Sequence, residues 1–126
     1  MRQIMLSAFN RTRGTVLCAR VELARTLRVK SRGLIGRPEL ARDHGMLFER
    51  GRAEPFMWFH TCLMRFPIDI VFLDRNGLVI TIDRELAPWR VSSLVFRARK
   101  AVELSSGRAE ETGTWTGDII TFDTSG

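Results

Sequence analysis

The sequence is short of cysteine, lysine and long apolar runs. Cys18 and Cys62 are its only cysteines. Two cysteines cannot organise a disulfide-built fold, and in a reducing compartment both read as free thiols. No stretch approaches the ~18 apolar residues of a membrane-spanning helix. The first residues make a poor secretion signal. Residues 4–9 are mostly apolar, but Asn10-Arg11-Thr12-Arg13 follows where small residues belong. The expected location is the cytoplasm, with no membrane partner. Lys30 and Lys100 are the only lysines, so the other basic residues are all arginine. They are scattered, which reads first as compositional bias and second as a supply of forks for phosphate or carboxylate. There are no repeats and no low-complexity tracts. The phosphate loop, Gly-x-Gly-x-x-Gly, Gly-x-Ser-x-Gly and the zinc-protease helix are all missing.

What is present suits one folded domain over residues 1–126. With 44% hydrophobic and 27% charged residues, the chain can bury one real core, and disorder is expected only at the ends. The net charge of +6 is lopsided. Residues 1–65 hold 13 basic and 5 acidic groups, while residues 66–126 hold 7 basic and 9 acidic groups.

Residues 4–9 and 14–23 read as short strands, the second alternating through Val16, Cys18, Val21 and Leu23. Over residues 24–35 the period changes. Leu23, Leu27, Leu34 and Ile35 share a helical face, and Arg25, Arg28 and Arg32 form a basic stripe on another. Gly36 and Pro38 end this helix, and Pro38 opens a short helical turn through Arg42. Residues 45–48 and 56–60 read as buried strands, and 68–73 as a further one. Asp74-Arg75-Asn76-Gly77 is a strong turn, with 78–83 as the return strand. Pro88-Trp89-Arg90 interrupts regular structure. Residues 94–104 give one long strand or two short ones, 107–111 a helical turn and 119–122 a last strand. The expected architecture is α+β and β-dominated. It is a curled antiparallel or mixed sheet, or a small barrel, of seven to eight strands with one principal helix at residues 24–35.

Chemistry concentrates in residues 56–74, where His60, Cys62, Arg65 and Asp69 sit inside the largest apolar run. Polar groups in such surroundings are hydrogen-bonded pins or working residues. A two-residue hairpin turn sets Asp69 opposite Arg84. A type I turn with a glycine bulge, which the turn residues favour, sets Asp69 opposite Asp83, Ile70 opposite Ile82 and Phe72 opposite Ile80. Facing carboxylates split their pKa values and suit acid–base work or metal capture. The structural alternative makes Asp69 a buried pin, bonded to backbone N–H groups or to Arg65 or Arg84.

His60 and Cys62 share one side of a strand but lack further ligands at metal-like spacing, so no metal and no cofactor is assigned. Cys62 reads as a small buried hydrophobe and His60 as a core or rim histidine with a bonded ring nitrogen. His60 stays beside Asp69 and Asp83 as a catalytic candidate. Arg65 either clamps an anionic ligand or pairs with Asp69 or Asp83. Met57, Trp58, Phe59, Met64, Phe66 and Phe96 read as core before pocket. Trp89 follows Pro88 in a loop, where a large aromatic needs a groove or a partner. Arg65, Trp89 and Arg90 are therefore the ligand-binding candidates.

The segment Met64-Arg65-Phe66-Pro67-Ile68-Asp69-Ile70-Val71-Phe72-Leu73-Asp74, followed by Asn76-Gly77, resembles the signature of the family called Domain of Unknown Function 192. Arg32-Gly33-Leu34, Gly45-Met46-Leu47-Phe48, Val102-Glu103-Leu104 with Gly107, and Gly117-Asp118 resemble its other elements. The resemblance covers residues 15–123. It departs before the proline, where many members carry Met-Lys-Asn-Thr and this chain has His60-Thr61-Cys62-Leu63-Met64-Arg65, and at Ile68, where leucine is usual. It implies a small β-rich fold and no activity.

Three functions remain in play. The leading one is a small soluble binding or interaction module, an accessory with an unknown protein partner or small ligand. The second is a small enzyme using Asp69 with Asp83, Arg65 or His60 on an anionic substrate. The third is a weak nucleic-acid associate using Arg25, Arg28, Arg32 and Arg37. The absence of Phe or Trp between Leu17 and Phe48 argues against the third, since single-strand binders stack bases on aromatics.

Overall fold

The central strands carry apolar residues at successive positions, so both faces of their sheet need cover. The structure, a computed structural model, describes residues 4–24 and 34–124. Seven strands form one sheet: β1 (Met5–Asn10), β2 (Thr15–Leu23), β3 (His44–Glu49), β4 (Ile68–Leu73), β5 (Val79–Leu86), β6 (Lys100–Ser105) and β7 (Ile120–Thr124). Their order is β5-β4-β6-β3-β2-β1-β7. Only β2 and β3 run parallel; the other neighbours are antiparallel. The sheet curls into a half-barrel. Among the described residues one helix occurs, α1 (Arg108–Glu111). The architecture is thus β-dominated, as the strand pattern predicts.

Alternation splits the core in two. Met46, Phe48, Ile68, Ile70, Phe72 and Ala101 point to one face, with Leu34, Met57, Met64 and Val95 packed there. Leu17, Val21, Leu47, Val71, Leu73, Val102, Leu104 and Ile120 fill the other. All six residues of β4 are buried. At one end the two sheet edges meet. The Val79 N–H donates to the Asp118 carbonyl and the Ile120 N–H to the Gly77 carbonyl, both at 2.8 Å. The Asp118 carboxylate accepts from Asn10, Arg13 and the Trp115 N–H. Burial alone would raise its pKa, but these donors outweigh burial and hold it below the ordinary carboxylate value.

Three readings need correction. Residues 56–60 are not a strand. They pair with residues 91–95 through isolated bridges at Met57 and His60 rather than a continuous ladder, because between the bridges the Phe59 N–H goes to the Ser92 hydroxyl instead of a backbone carbonyl. Residues 94–99 are also irregular, and only Lys100–Ser105 joins the sheet. No helical turn forms over residues 38–42; there Arg42 reaches across to Ser105 and Glu111 instead. The helix read over residues 24–35, with its stripe of Arg25, Arg28 and Arg32, lies almost wholly outside the described residues.

Candidate functional site

Asp69 is fully buried. One oxygen accepts the N–H groups of Glu85 at 2.8 Å and Gly107 at 3.2 Å, and the other accepts the Ala109 N–H at 2.9 Å. Hydrogen bonds to a buried carboxylate are the strong kind. They tie β5, the β6–α1 turn and α1 to β4. Neither Arg84 nor Asp83 faces Asp69. The turn itself has the Gly77 N–H on the Asp74 carbonyl at 3.1 Å and Gly77 at φ 83°, as a type I turn with a glycine bulge requires. An irregularity between Leu73 and Phe72 then shifts the register, so Phe72 faces Thr81, Val71 faces Ile82 and Ile70 faces Asp83, and a second beside Asp69 sets Ile68 opposite Leu86. Glu85, at φ 50°, supplies the amide opposite Asp69.

The other polar candidates are dispersed. Asp83 accepts the N–H and hydroxyl of Ser93 at 2.6 and 2.7 Å, pinning the loop after β5. His60 is exposed and its Nδ1 accepts the Cys62 N–H at 3.2 Å. Arg65 is exposed and pairs with neither Asp69 nor Asp83. Arg84 donates to the Thr114 carbonyl and lies over the Trp115 ring. Cys62 is half-buried, while Cys18 is fully buried and donates to the Asp43 carbonyl at 3.1 Å. Burial pushes the Cys18 thiol up to about 11, away from the thiolate a nucleophile needs. Among the described residues, no three His, Cys, Asp or Glu side chains converge as metal ligands would.

Sequence reasoning passed over Glu103. It stands on β6 between Met46 of β3 and Ile70 of β4, on the face of Ala101. It is 5% exposed, and burial lifts its pKa to about 8. Its neighbours across both ladders, Met46 and Ile70, are apolar and offer no donor to offset ionisation.

The structure does assemble a surface from residues 56–66 and 87–99. The two segments are stitched antiparallel. The Thr61 N–H donates to the Arg90 carbonyl at 2.8 Å, and the Ser92 N–H to the Phe59 carbonyl at 2.8 Å. Thr61 is fully buried; its hydroxyl accepts the Arg90 N–H at 2.8 Å and donates to the Ala87 carbonyl at 2.6 Å. The inner side of this flap is core. Met57, Met64 and Val95 are buried, and Phe59 packs on Phe48 and Phe72. Alternation then turns the outer side to water. Trp58, Leu63, Trp89, Val91, Leu94 and Phe96 are 49–65% exposed, six of the nine large apolar side chains so placed among the described residues. His60 stands opposite Val91 on this side, and Phe96 meets Phe56 edge-on. Leu63 and Trp89 hold φ of 66° and 63°, a left-handed backbone that costs a residue with a side chain about 1–2 kcal/mol. The flap carries Arg65, Arg90, Arg97 and Arg99 and no Asp or Glu.

The loop argument anticipates the exposure of Trp89, and Arg90 beside it is exposed too. Trp58 and Phe96 were read as core, and Leu63, Val91 and Leu94 were not singled out. The available signal was the absence of carboxylates across two apolar segments that the β4–β5 hairpin, flanked by Pro67 and Pro88, brings together.

The comparisons agree with this architecture. The model of the family Domain of Unknown Function 192 (DUF192), described as Uncharacterized ACR, matches residues 8–122. The chain belongs to this family. No curated protein matches the sequence. The fold is similar to that of a candidate transcription regulator of Sinorhizobium meliloti 1021, with a TM-score of 0.80, 23% identity, and coverage of 96% of this chain and 94% of that one. A protein of unknown function from Novosphingobium aromaticivorans DSM 12444 gives a TM-score of 0.78 at 26% identity, covering 94% of this chain and 84% of that one. The first likeness establishes the fold alone, and the second carries no activity.

Proposed function

We propose that this DUF192 member is a docking module, and that the outer side of the flap is its binding surface. One observation carries the reading: six large apolar side chains are held in water by a well-bonded framework. Exposed apolar side chains gathered on one side of one framework mark interaction sites in folded proteins. The left-handed backbone at Leu63 and Trp89 supports it, because strain kept at solvent-facing side chains is a frequent companion of function. The enzyme reading draws less support. The oxygens of Asp69 and Asp83 are each engaged, by different partners, and His60 stands on the outer side of the flap. The nucleic-acid reading loses Arg37 to an ion pair with Glu22 at 3.1 Å.

A photoreactive benzoyl-phenylalanine at position 89, and separately at position 115, tests the reading in living cells. Trp115 is also exposed but lies between α1 and β7, outside the two flap segments, where it stacks under Arg84. Adducts to a protein or a lipid should form from position 89 and not from 115. Equal yields from both positions, or none from 89, reject the flap as the binding surface.

A further inference from the structure

Resting on the docking reading, we infer that the flap's occupant is an anionic lipid bilayer, met by Trp58, Leu63, Trp89 and Val91 with Arg65 and Arg90 reaching the headgroups. The chemistry of the outer side selects this partner. Its two segments offer apolar side chains and guanidinium donors and no Asp or Glu of their own, and the one carboxylate bonded to them, Asp83, is engaged by Ser93. The hydroxyls are spent internally. Thr61 bonds Ala87 and Arg90, Ser92 takes the Phe59 N–H and donates to Ser93, and Ser93 donates to Asp83. A specific protein interface is studded with donors and acceptors of both kinds. This surface has donors of one sign only, which suits a diffuse layer of phosphate and carboxylate. Tryptophan favours the boundary between headgroups and acyl chains, and arginine stems lie along apolar surface while their heads stay wet.

Single-stranded nucleic acid fits less well. Leu63, Val91 and Leu94 offer no ring for a base to stack on, yet they bury readily in lipid. Docking of this kind needs no membrane-spanning element; among the described residues no helix is long and apolar enough to be one. The Thr61 bonds keep the turn residues Leu63 and Trp89 presented rather than collapsed onto the core.

Sedimentation with vesicles tests the inference. The probes are phosphatidylcholine vesicles containing about a third phosphatidylserine, pure phosphatidylcholine vesicles, and a uridine 20-mer, at low and physiological salt. Binding is expected to the mixed vesicles, weaker at physiological salt, and at least about tenfold weaker to pure phosphatidylcholine, since each basic residue near an anionic surface contributes severalfold. Trp58→Ala with Trp89→Ala, and Arg65→Glu with Arg90→Glu, should each cost about tenfold or more. All four positions are exposed, and circular dichroism with a thermal melt confirms that the variants fold. Tryptophan emission should shift to the blue on mixed vesicles, survive Trp115→Phe, and vanish in Trp58→Phe with Trp89→Phe. Three results overturn the inference: no binding to mixed vesicles, binding indifferent to the flap variants, or flap-dependent binding of the uridine 20-mer alone. A protein adduct from position 89 together with no vesicle binding leaves the docking reading standing and removes the lipid.

Discussion

Two buried carboxyl groups behave in opposite ways. Asp69 holds three backbone amides, so its charge is matched. Asp69→Asn keeps the shape but points an amide NH2 at a donor. Breaking hydrogen bonds to a buried charge costs about 1.5–3 kcal/mol or more, and the melting midpoint should fall by roughly 10 °C. An unchanged midpoint would show that the three amides are not what fixes the turn. Glu103 has no such donors among the described residues. It binds its proton more tightly in the folded protein, at about 8, than at the ordinary 4.5. Stability should therefore be highest below the ordinary value and fall as pH rises to about 8, at up to about 1.4 kcal/mol per pH unit. Glu103→Gln should flatten that slope and stabilise the protein at pH 8 by on the order of 4 kcal/mol. Parallel slopes for both proteins in thermal melts would reject it. The burial of Asp69 was legible because a carboxylate interrupts Ile68, Ile70 and Val71. Its partners were not, since they come from positions 85, 107 and 109. Glu103 hid in a short strand beside Arg99 and Lys100, and only the crossing of Met46 and Ile70 buries it.

Strands were the legible elements. Period-two alternation and the Asp74–Gly77 turn locate β1 to β5 and β7 within a few residues. The flap was not legible, because a continuous apolar run looks alike whether it fills a core or serves core and solvent on alternate sides. Its framework depends on Thr61, which is fully buried. Thr61→Val preserves volume and removes the bonds to Arg90 N–H and Ala87 carbonyl. Leaving such groups unpaired costs about 1–3 kcal/mol, confined to the flap. Hydrogen exchange should speed up over residues 87–93 while β4 stays protected. Uniform acceleration across both would mean that flap and sheet open as one unit.

The two edges of the half-barrel touch where Gly77 passes Ile120. A Cβ on Gly77 would lie 2.4 Å from the Ile120 carbonyl oxygen, at φ 83°. Gly77→Ala therefore combines a left-handed penalty with a backbone clash and should cost at least about 2 kcal/mol. Asn76→Ala, beside it in the turn, should cost less; equal losses in denaturant titration would place the constraint in the turn rather than at the closure. The curled sheet was expected from strand count, but its order was not, since β1 pairs with β7, Leu6 opposite Thr124. That pairing has a consequence for synthesis. On the ribosome β1 and β2 emerge first and β7 last, so the outer ladder of β1 stays open through most of translation. An open strand edge is a template for neighbouring chains. Nascent chains stalled before residue 120 should be found aggregated or held by chaperones, and the last strand acts as the latch that ends that exposure.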